Sequence, residues 1–206
     1  MKINLKKIVT LLVMIITCAM LAACGSEEDA ASSGAAEEQV ETVYRHVEIT
    51  VKDYGTIKVE LNETVAPITV ANFIKLAEEG FYDGLTFHRI MNGFMIQGGD
   101  PKGNGTGGSD EKIKGEFSAN GVENNLSHTR GAISMARAKS MDSASSQFFI
   151  MHEDADYLDG QYACFGYVTE GIEIVDAICK DTPVVDNNGT VLAANQPVIE
   201  SVKVVD

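Results

Sequence analysis

Residues 87–100 (FHRIMNGFMIQGGD) contain the densest group of side chains that could do chemistry. One cation, Arg89, is followed by bulky apolar side chains and by the amide of Gln97. Because side chains alternate along an extended segment, Arg89, Met95 and Gln97 would lie on one face, and Gly93 would permit a bend. Composition alone favours a simpler interpretation, in which the arginine packs its stem on the surface or pairs with a carboxylate.

Three other segments contain partial binding motifs, and none of them predicts a metal or cofactor site. Residues 103–108 (GNGTGG) contain G-x-G-x-x-G, but a charged stretch follows them where a dinucleotide site needs a helix. Residues 152–156 (HEDAD) lack a second cluster of ligands and are typical of a solvated acidic turn. Residues 186–189 (DNNG) resemble the start of a calcium loop, yet the twelfth position is Pro197 instead of glutamate.

The elements that must position these residues are mostly short strands. Alternating apolar residues at 47–51 and 57–61, separated by a polar turn at 52–55, predict a β-hairpin with one buried face. Pro67 suits the first turn of a helix, and Gly80 ends the apolar pattern that follows it. Further strands are predicted near residues 90–96, 132–136, 148–151, 163–168 and 198–205, with a second helix at 172–179. This pattern indicates a mainly β protein, a barrel or a sandwich with helical caps.

Residues 87–100 resemble the signature segment of the cyclophilins, a family of peptidyl-prolyl isomerases. Further blocks follow in the family's order: 104–108 (NGTGG), 131–138 (GAISMARA), 146–150 (SQFFI) and 158–166 (LDGQYACFG). The resemblance extends from about residue 44 to residue 206. It implies a closed eight-stranded antiparallel β-barrel capped by two α-helices. It also implies an enzyme that isomerises X-Pro peptide bonds and needs no metal or cofactor.

The resemblance assigns roles by position within these blocks. The catalytic residues that it implies are Arg89, Phe94, Gln97 and Phe149. The substrate-binding residues that it implies are His88, Met95, Ala136, Arg137, Ala138, Gln147, Tyr157, Leu158 and Tyr162. Within this set, residues 136–138 would offer a strand edge to the part of the peptide before the proline, and the two tyrosines would form the outer rim.

Two histidines are expected to be structural. His88 enters the substrate-binding set by its place in the motif alone, because rotation about a bond needs no proton transfer. The same reasoning applies to His128, which has no evident nucleophile partner in the sequence.

The chain departs from the best-known cyclophilins at three site positions. Tyr157 stands where the most cyclosporin-sensitive relatives have tryptophan, so we expect weak binding of that drug. Tyr162 replaces a common histidine and Arg137 a common asparagine. A tyrosine still supplies an apolar wall with a polar tip, and the contact at position 137 is expected through the backbone. Catalysis should therefore survive all three changes.

Residues 1–23 read as an export signal, with a short basic start and an apolar run from residue 8 to residue 22. Residues 21–24 (LAAC) resemble the bacterial lipobox, which implies a diacylglyceryl group on Cys24. The alternative is an ordinary secretory signal with an incidental cysteine. Residues 24–43 predict a flexible acidic linker, and residues 44–206 the isomerase domain. We expect an extracytoplasmic protein held to a bacterial cell membrane by lipid alone; whether the cell has one membrane or two stays open.

The net charge excludes one class of partner, and the surroundings of the cysteines predict their redox state. Without the three leader lysines, 13 basic residues face 30 acidic ones, a formal charge of -17, so nucleic acid is not an expected partner. Cys164 and Cys179 lie in apolar stretches, which favours buried thiols, although a disulfide stays open.

The expected partners are proline-containing exported polypeptides, bound by a monomer. The open alternatives are a peptide-binding holdase without turnover and, on the strength of the lipobox, a solute-binding protein.

Overall fold

Antiparallel strands and two α-helices build residues 41–206, the part of the chain that the computed structural model describes. In chain order they are β1 (Tyr44–Val51), β2 (Gly55–Asn62), α1 (Pro67–Glu78), β3 (Phe87–Met91), β4 (Met95–Gly98), β5 (Ala132–Met135), β6 (Phe148–Met151), β7 (Cys164–Glu170), α2 (Ile172–Asp181) and β8 (Ile199–Val204). The expectations for the export signal, for Cys24 and for linker residues up to 40 lie outside the described residues. Within residues 41–206, no helix is both long and apolar enough to span a membrane.

The predicted hairpin is confirmed, whereas the run predicted near residues 90–96 is two strands instead of one. β1 and β2 pair from Tyr44 opposite Asn62 to Val51 opposite Gly55. β3 and β4 are joined by a tight turn at Gly93, whose φ of 79° lies in the left-handed region that favours glycine. This turn folds residues 87–98 back on themselves and brings the two halves of the motif together.

The strands form a curled half-barrel, so the expected closed barrel is wrong. Their order in the sheet is β3-β4-β6-β5-β7-β2-β1-β8. Among the described residues, the edge strands β3 and β8 share no ladder, and an isolated bridge between Thr86 and Val198 links their ends. Pro197 precedes β8 and has no N–H to donate; it only accepts a hydrogen bond from the amide of Phe87, at 3.0 Å.

Side chains alternate between two apolar clusters on opposite faces of the central strands. The inner core includes Phe148 and Ile150 of β6 and packs under both helices. The groove cluster includes Phe149 and Met151 of the same strand, together with Met95, Ala132, Ala155, Leu158 and Cys164. Because both faces of β6 are covered, its four residues are apolar and buried throughout, as in strands that have a layer on each side.

Helix α1 is capped from a distant part of the chain. Its N-cap residue, Ala66, offers no side-chain acceptor. Instead the buried carboxylate of Glu116 accepts hydrogen bonds from the amides of Ile68 and Thr69, at 3.0 and 2.8 Å, and one from the Thr69 hydroxyl. An anion at this end also complements the helix dipole. The loop that contains Glu116 is therefore tied to the helix.

Both cysteines of the described part are free and buried, as the apolar surroundings predicted. Burial raises the pKa of the Cys164 thiol and of the Cys179 thiol to about 12 in each case. Neither sulfur is a thiolate at neutral pH, so neither is a reactive nucleophile.

Candidate active site

The antiparallel register of β3 and β4 places the key side chains together. Arg89 lies opposite Gln97, and Met91 lies opposite Met95. The shared face that alternation predicted for Arg89, Met95 and Gln97 is therefore confirmed. The backbone turn that creates this face is the one at Gly93.

The guanidinium of Arg89 is held by several acceptors. Its Nη1 donates to Gln97 Oε1 at 3.2 Å, and its Nε donates to the carbonyl of Asn188 at 2.8 Å. Its Nη2 reaches Asn188 Oδ1 at 3.2 Å and the sulfur of Met91 at 3.0 Å. No carboxylate pairs with it among the described residues, so the ion-pair alternative does not hold, and neutral acceptors hold the guanidinium instead.

The sequence analysis assigns no role to Asn188, because the only motif that its segment resembles is the start of a calcium loop. The carboxylate of Asp186 accepts hydrogen bonds from the amides of Asn188 and Thr190, at 2.9 and 3.0 Å. These bonds hold the loop against β3, where Thr190 bridges to Arg89. An aspartate that binds the amide two residues later is a sequence signal for such a turn, although it does not reveal what the turn contacts.

Burial lowers the pKa of the Arg89 guanidinium, and the nearby Tyr162, Asp186 and Tyr157 oppose that shift. An arginine remains protonated in proteins even so. The site therefore contains a permanent cation that is partly withdrawn from water, which strengthens its electrostatic interactions.

Apolar side chains form a groove of about 430 Å³ beside this cation. It is lined by Arg89, Phe94, Met95, Gln97, Ala136, Arg137, Phe149, Tyr157, Leu158 and Tyr162. The floor is closed, because Phe149 is 5% exposed and Met95 is 2% exposed. The rim is open: Tyr157 is 67% exposed, and its ring stacks on that of Phe94 with 6.1 Å between centroids. The groove can therefore admit an apolar ring from solvent.

A chain of amides links this groove to a second one. Gln97 Nε2 donates to Gln147 Oε1 at 2.9 Å, and Gln147 Nε2 donates to the carbonyl of Gly107 at 2.7 Å. Gln147 and Ala138 line the second pocket, of about 270 Å³, together with residues 105–109. The two pockets share Gln97 and the segment 136–137 as a common wall.

The segment 136–138 continues past the end of β5 along both pockets. Ala136 donates its amide to the carbonyl of Gln147 at 2.9 Å, and Ala138 donates its amide to Ser143 Oγ at 3.0 Å. The Arg137 guanidinium turns away to donate to the carbonyl of Gln161, and it lies 4.7 Å from the centre of the Tyr162 ring. Arg137 therefore borders both pockets, while its guanidinium is hydrogen-bonded within the protein.

His88 lies outside both pockets, so its inclusion among the substrate-binding residues gains no support from the structure. The residue is 5% exposed and lines neither pocket. Neither of its ring nitrogens has a hydrogen-bond partner among the described residues. Burial lowers its pKa, so the ring is neutral at pH 7. The β3–β4 register is irregular between Phe87 and Arg89, so the position of His88 in this segment does not follow from simple alternation.

His128, which the sequence analysis expects to be structural, is buried between a hydroxyl and a carboxylate. Its Nε2 lies 3.0 Å from Ser134 Oγ, and its Nδ1 lies 2.8 Å from Asp159 Oδ1. Ser134 is 6 positions from His128 and Asp159 is 31 positions from it, and the fold brings both to the imidazole ring. Ser134 is completely buried, so its hydroxyl cannot reach a substrate carbonyl and the arrangement is not a hydrolase site.

The fold and the groove together define a cyclophilin-type protein. Residues 46–204 match the family model described as "Cyclophilin type peptidyl-prolyl cis-trans isomerase/CLD". Peptidyl-prolyl cis-trans isomerase B of Bacillus subtilis is 52% identical over 122 residues, which are 59% of this chain and 82% of that protein. A peptidyl-prolyl cis-trans isomerase of Helicobacter pylori is 44% identical over 144 residues, which are 69% of this chain and 83% of that protein.

Solved structures agree with these relatives. A cyclophilin type peptidyl-prolyl cis-trans isomerase of Cryptosporidium parvum matches with a TM-score of 0.70 and 30% identity, over 80% of this chain and 99% of that one. A second structure of that protein, determined in the presence of the dipeptide Ala-Pro, matches with a TM-score of 0.69. The chain belongs to the cyclophilin-type peptidyl-prolyl cis-trans isomerase family, and it is an enzyme of that class.

Proposed function

We propose that this groove isomerises X-Pro peptide bonds by binding the proline ring against Phe149 and presenting Arg89 to the prolyl nitrogen. The observation that carries the proposal is a guanidinium fixed at the edge of an apolar groove, with no carboxylate partner within residues 41–206. An arginine held in an ion pair, such as Arg45 with Asp206, has its charge offset by a carboxylate. This one keeps its charge available to a bound ligand.

Rotation about the peptide bond explains why a cation helps. The barrier is about 18–20 kcal/mol because amide resonance resists twisting. In the twisted transition state the prolyl nitrogen becomes pyramidal and regains a lone pair. A guanidinium N–H that donates to this lone pair binds the transition state more strongly than either planar ground state, which is the requirement for catalysis.

The contacts of Arg89 indicate which donors a substrate can use. Asn188 accepts hydrogen bonds from Arg89 Nε and from one N–H of Nη2, and Gln97 accepts one from Nη1. The remaining N–H groups face the sulfur atoms of Met91 and Met95, at 3.0 and 4.0 Å. Thioether sulfur is a weak acceptor, so a prolyl nitrogen would displace these contacts at little cost.

The energy of one hydrogen bond limits what Arg89 can contribute. A charge-assisted bond is worth roughly 1.5–3 kcal/mol, which corresponds to about 10- to 150-fold in rate. The groove must contribute as well. Phe149 and Met95 hold the ring while the preceding carbonyl turns, and the low dielectric strengthens the bond to the guanidinium. The residues before the proline would lie along the segment 136–138, where the backbone of Arg137 can pair with an extended peptide.

A peptide-binding holdase without turnover uses the same groove, and an exchange measurement separates the two. Two-dimensional exchange NMR on a proline tetrapeptide, with full-length protein at about one hundredth of the peptide concentration, should show accelerated cis/trans exchange. A holdase would shift the peptide resonances without adding exchange cross-peaks. Binding without faster exchange would therefore contradict the proposed activity.

We also infer that the enzyme acts outside the cytoplasmic membrane, anchored by a lipid on Cys24, and assists the folding of exported proteins. The support is the lipobox-like segment LAAC after an apolar leader and an acidic linker before the catalytic domain. Two acyl chains anchor a protein firmly, whereas one is marginal. Uncatalysed proline isomerisation takes about 10–100 s. An isomerase tethered outside the membrane would therefore accelerate a slow step in the folding of exported chains.

The anchor can be tested with a matched pair of cysteine variants. Cys24→Ser should move the protein from the membrane fraction to the soluble fraction, because the thiol that accepts the lipid is lost. Cys18→Ser lies in the same leader and leaves LAAC intact, so it should stay in the membrane fraction. A Cys24→Ser protein that still sediments with membranes would refute lipidation at this position.

A further inference from the structure

His128 binds both ends of the segment 155–159, which we call the rim segment because it carries Tyr157 and Leu158. At the first end, the His128 carbonyl accepts a hydrogen bond from the amide of Ala155 at 2.8 Å. At the second end, its amide and its ring Nδ1 both lie within 2.8 Å of Asp159 Oδ1. A single residue therefore makes three hydrogen bonds to the segment that forms one wall of the groove.

The same ring supports the floor of the groove. The His128 imidazole stacks on the ring of Phe149, with 6.0 Å between centroids and 18° between planes. Its Nε2 is anchored to Ser134 Oγ at 3.0 Å, and Ser134 lies opposite Phe149 in the β5–β6 ladder. His128 therefore contacts the floor directly and the rim through Asp159, although it does not line the groove itself.

The hydrogen bonds define one tautomer of the ring. An ionised carboxylate only accepts, so Nδ1 carries the proton that is donated to Asp159. Nε2 is then an acceptor, and the Ser134 hydroxyl donates to it. Both ring nitrogens of His128 and the hydroxyl of Ser134 therefore have a partner. A network that is fully satisfied holds its members in one arrangement.

The protonation states of His128 and of the titratable groups around it preserve this arrangement at neutral pH. Burial lowers the pKa of His128 despite the opposing effect of Asp159, so the ring is neutral. Burial would raise the pKa of Asp159, but the hydrogen bonds from the His128 amide and ring outweigh it and lower that pKa. Cys164 and Tyr167, which both contact the Ser127 carbonyl beside His128, have pKa values raised by burial to about 12 and stay neutral.

We propose that His128 is a positioning residue for the isomerase, which fixes the rim segment through Asp159 and the floor through its stacking on Phe149. The proposal rests on the groove being the substrate site, as argued above. It predicts that loosening the Asp159 contact weakens substrate binding before it affects the rotation step, because Arg89 and its acceptors lie on β3, β4 and the loop of Asn188 instead of the rim segment.

Three variants of the full-length protein test this proposal with a tetrapeptide substrate containing Ala-Pro. Asp159→Ala removes the acceptor for both His128 donors and should raise KM about 10-fold, since hydrogen bonds to a charged group are lost. Its kcat should change less than about 3-fold. Asp159→Asn keeps an acceptor oxygen and should recover most of the affinity. Asp156→Ala removes the same charge from the same segment, where the side chain is exposed, and serves as the matched control.

Peptide titration followed by NMR gives the dissociation constant without reference to catalysis. The proposal is overturned if folded Asp159→Ala binds the tetrapeptide as tightly as the wild type, or if Asp156→Ala weakens binding equally. It is also overturned if nitrogen-15 shifts of the His128 ring at pH 7 show a protonated Nε2. Failure of the proposed catalytic mechanism would look different, because the wild type would then bind the peptide without accelerating its exchange.

Discussion

The two faces of strand β6 carry the same residue type for different purposes. Phe148 points into the inner core, is fully buried and packs edge-to-face against Phe73 and Tyr82, with 5.4 and 5.6 Å between centroids. Phe149 points into the groove cluster, where it meets the His128 and Tyr162 rings at 6.0 and 5.9 Å. Helices cover one face. Side chains with polar tips cover the other face, and its rim is open to solvent. The degree of burial of a phenylalanine ring therefore does not distinguish a structural role from a functional one, whereas the groups that cover the ring do.

The largest effect is expected from Phe148→Ala. Removing a fully buried ring from the inner core leaves a cavity, and such changes cost about 3–5 kcal/mol. Denaturant unfolding should show this loss of free energy, while kcat/KM per folded molecule should change little because the side chain does not reach the groove. A fall in activity as large as the fall in stability would remove the distinction between the two faces.

The adjacent variant, Phe149→Ala, should affect substrate binding more than it affects the free energy of unfolding. It removes the floor of the groove, so the dissociation constant of an Ala-Pro tetrapeptide should rise about 10-fold, which corresponds to ~1.4 kcal/mol. Its loss of stability should be smaller than that of Phe148→Ala, because one side of this ring faces the open groove. NMR titration checks the affinity. Unchanged groove resonances during the titration would count against the assigned floor.

Acid should destabilise the fold through its two buried histidines. Burial lowers the pKa of His128 and of His88, so the unfolded chain, with histidine pKa near ~6.5, binds more protons than the folded one below that pH. The free energy of unfolding should therefore fall as pH drops below about 6.5, until the lowered folded-state pKa values are reached. In the inner core, burial raises the pKa values of Tyr82 and Cys179, so these groups add nothing in this window.

Chemical unfolding at pH 7.5, 6.5 and 5.5 measures this slope. Replacing His128 by phenylalanine and Ser134 by alanine in one variant should reduce the slope, since the stacked ring stays while the titrating group is lost. Stability that stays constant or increases from pH 7.5 to 5.5 would show that the two buried rings do not resist protonation.

The smallest effect concerns the exposed rim. Tyr157→Trp should raise the affinity for cyclosporin by about 2- to 10-fold, because a larger aromatic surface is offered to the ligand and aromatic contacts of this kind are worth about 0.5–1.5 kcal/mol. Unfolding should be nearly unchanged, because Tyr157 is 67% exposed. Titration calorimetry measures the affinity. A Trp variant that binds no better than the wild type would show that the rim does not control this ligand.

Local patterns predicted most of the fold and much of the site, and long-range contacts account for the rest. Alternation predicted the β1–β2 hairpin and the common face of Arg89, Met95 and Gln97. It allowed a bend at Gly93, but it did not predict that this turn divides residues 90–96 into two strands. The resemblance to cyclophilins supplied the residues of the groove, but the closed barrel that it implied is an open, curled sheet.

The contacts that sequence reasoning missed join distant segments. Asn188 meets Arg89 across 99 positions, and Asp159 meets His128 across 31. No period or motif links such pairs, because the sheet brings them together only after the strands pair. His88 is the opposite case: its motif position implied a substrate contact, whereas its side chain is 5% exposed and lines neither pocket.

The catalytic contribution of Arg89 is tested most directly by kcat/KM of Arg89→Ala in the full-length protein, measured beside peptide affinity. A suitable control is Arg45→Ala, since Arg45 pairs with the carboxylate of Asp206 at 2.7 Å, as a structural surface arginine does. Loss of the charge-assisted bond predicts that kcat/KM falls by about 10- to 150-fold in the Arg89 variant, with a much smaller change in peptide affinity and none in the control. A folded Arg89→Ala protein with unchanged kcat/KM would contradict the proposed mechanism.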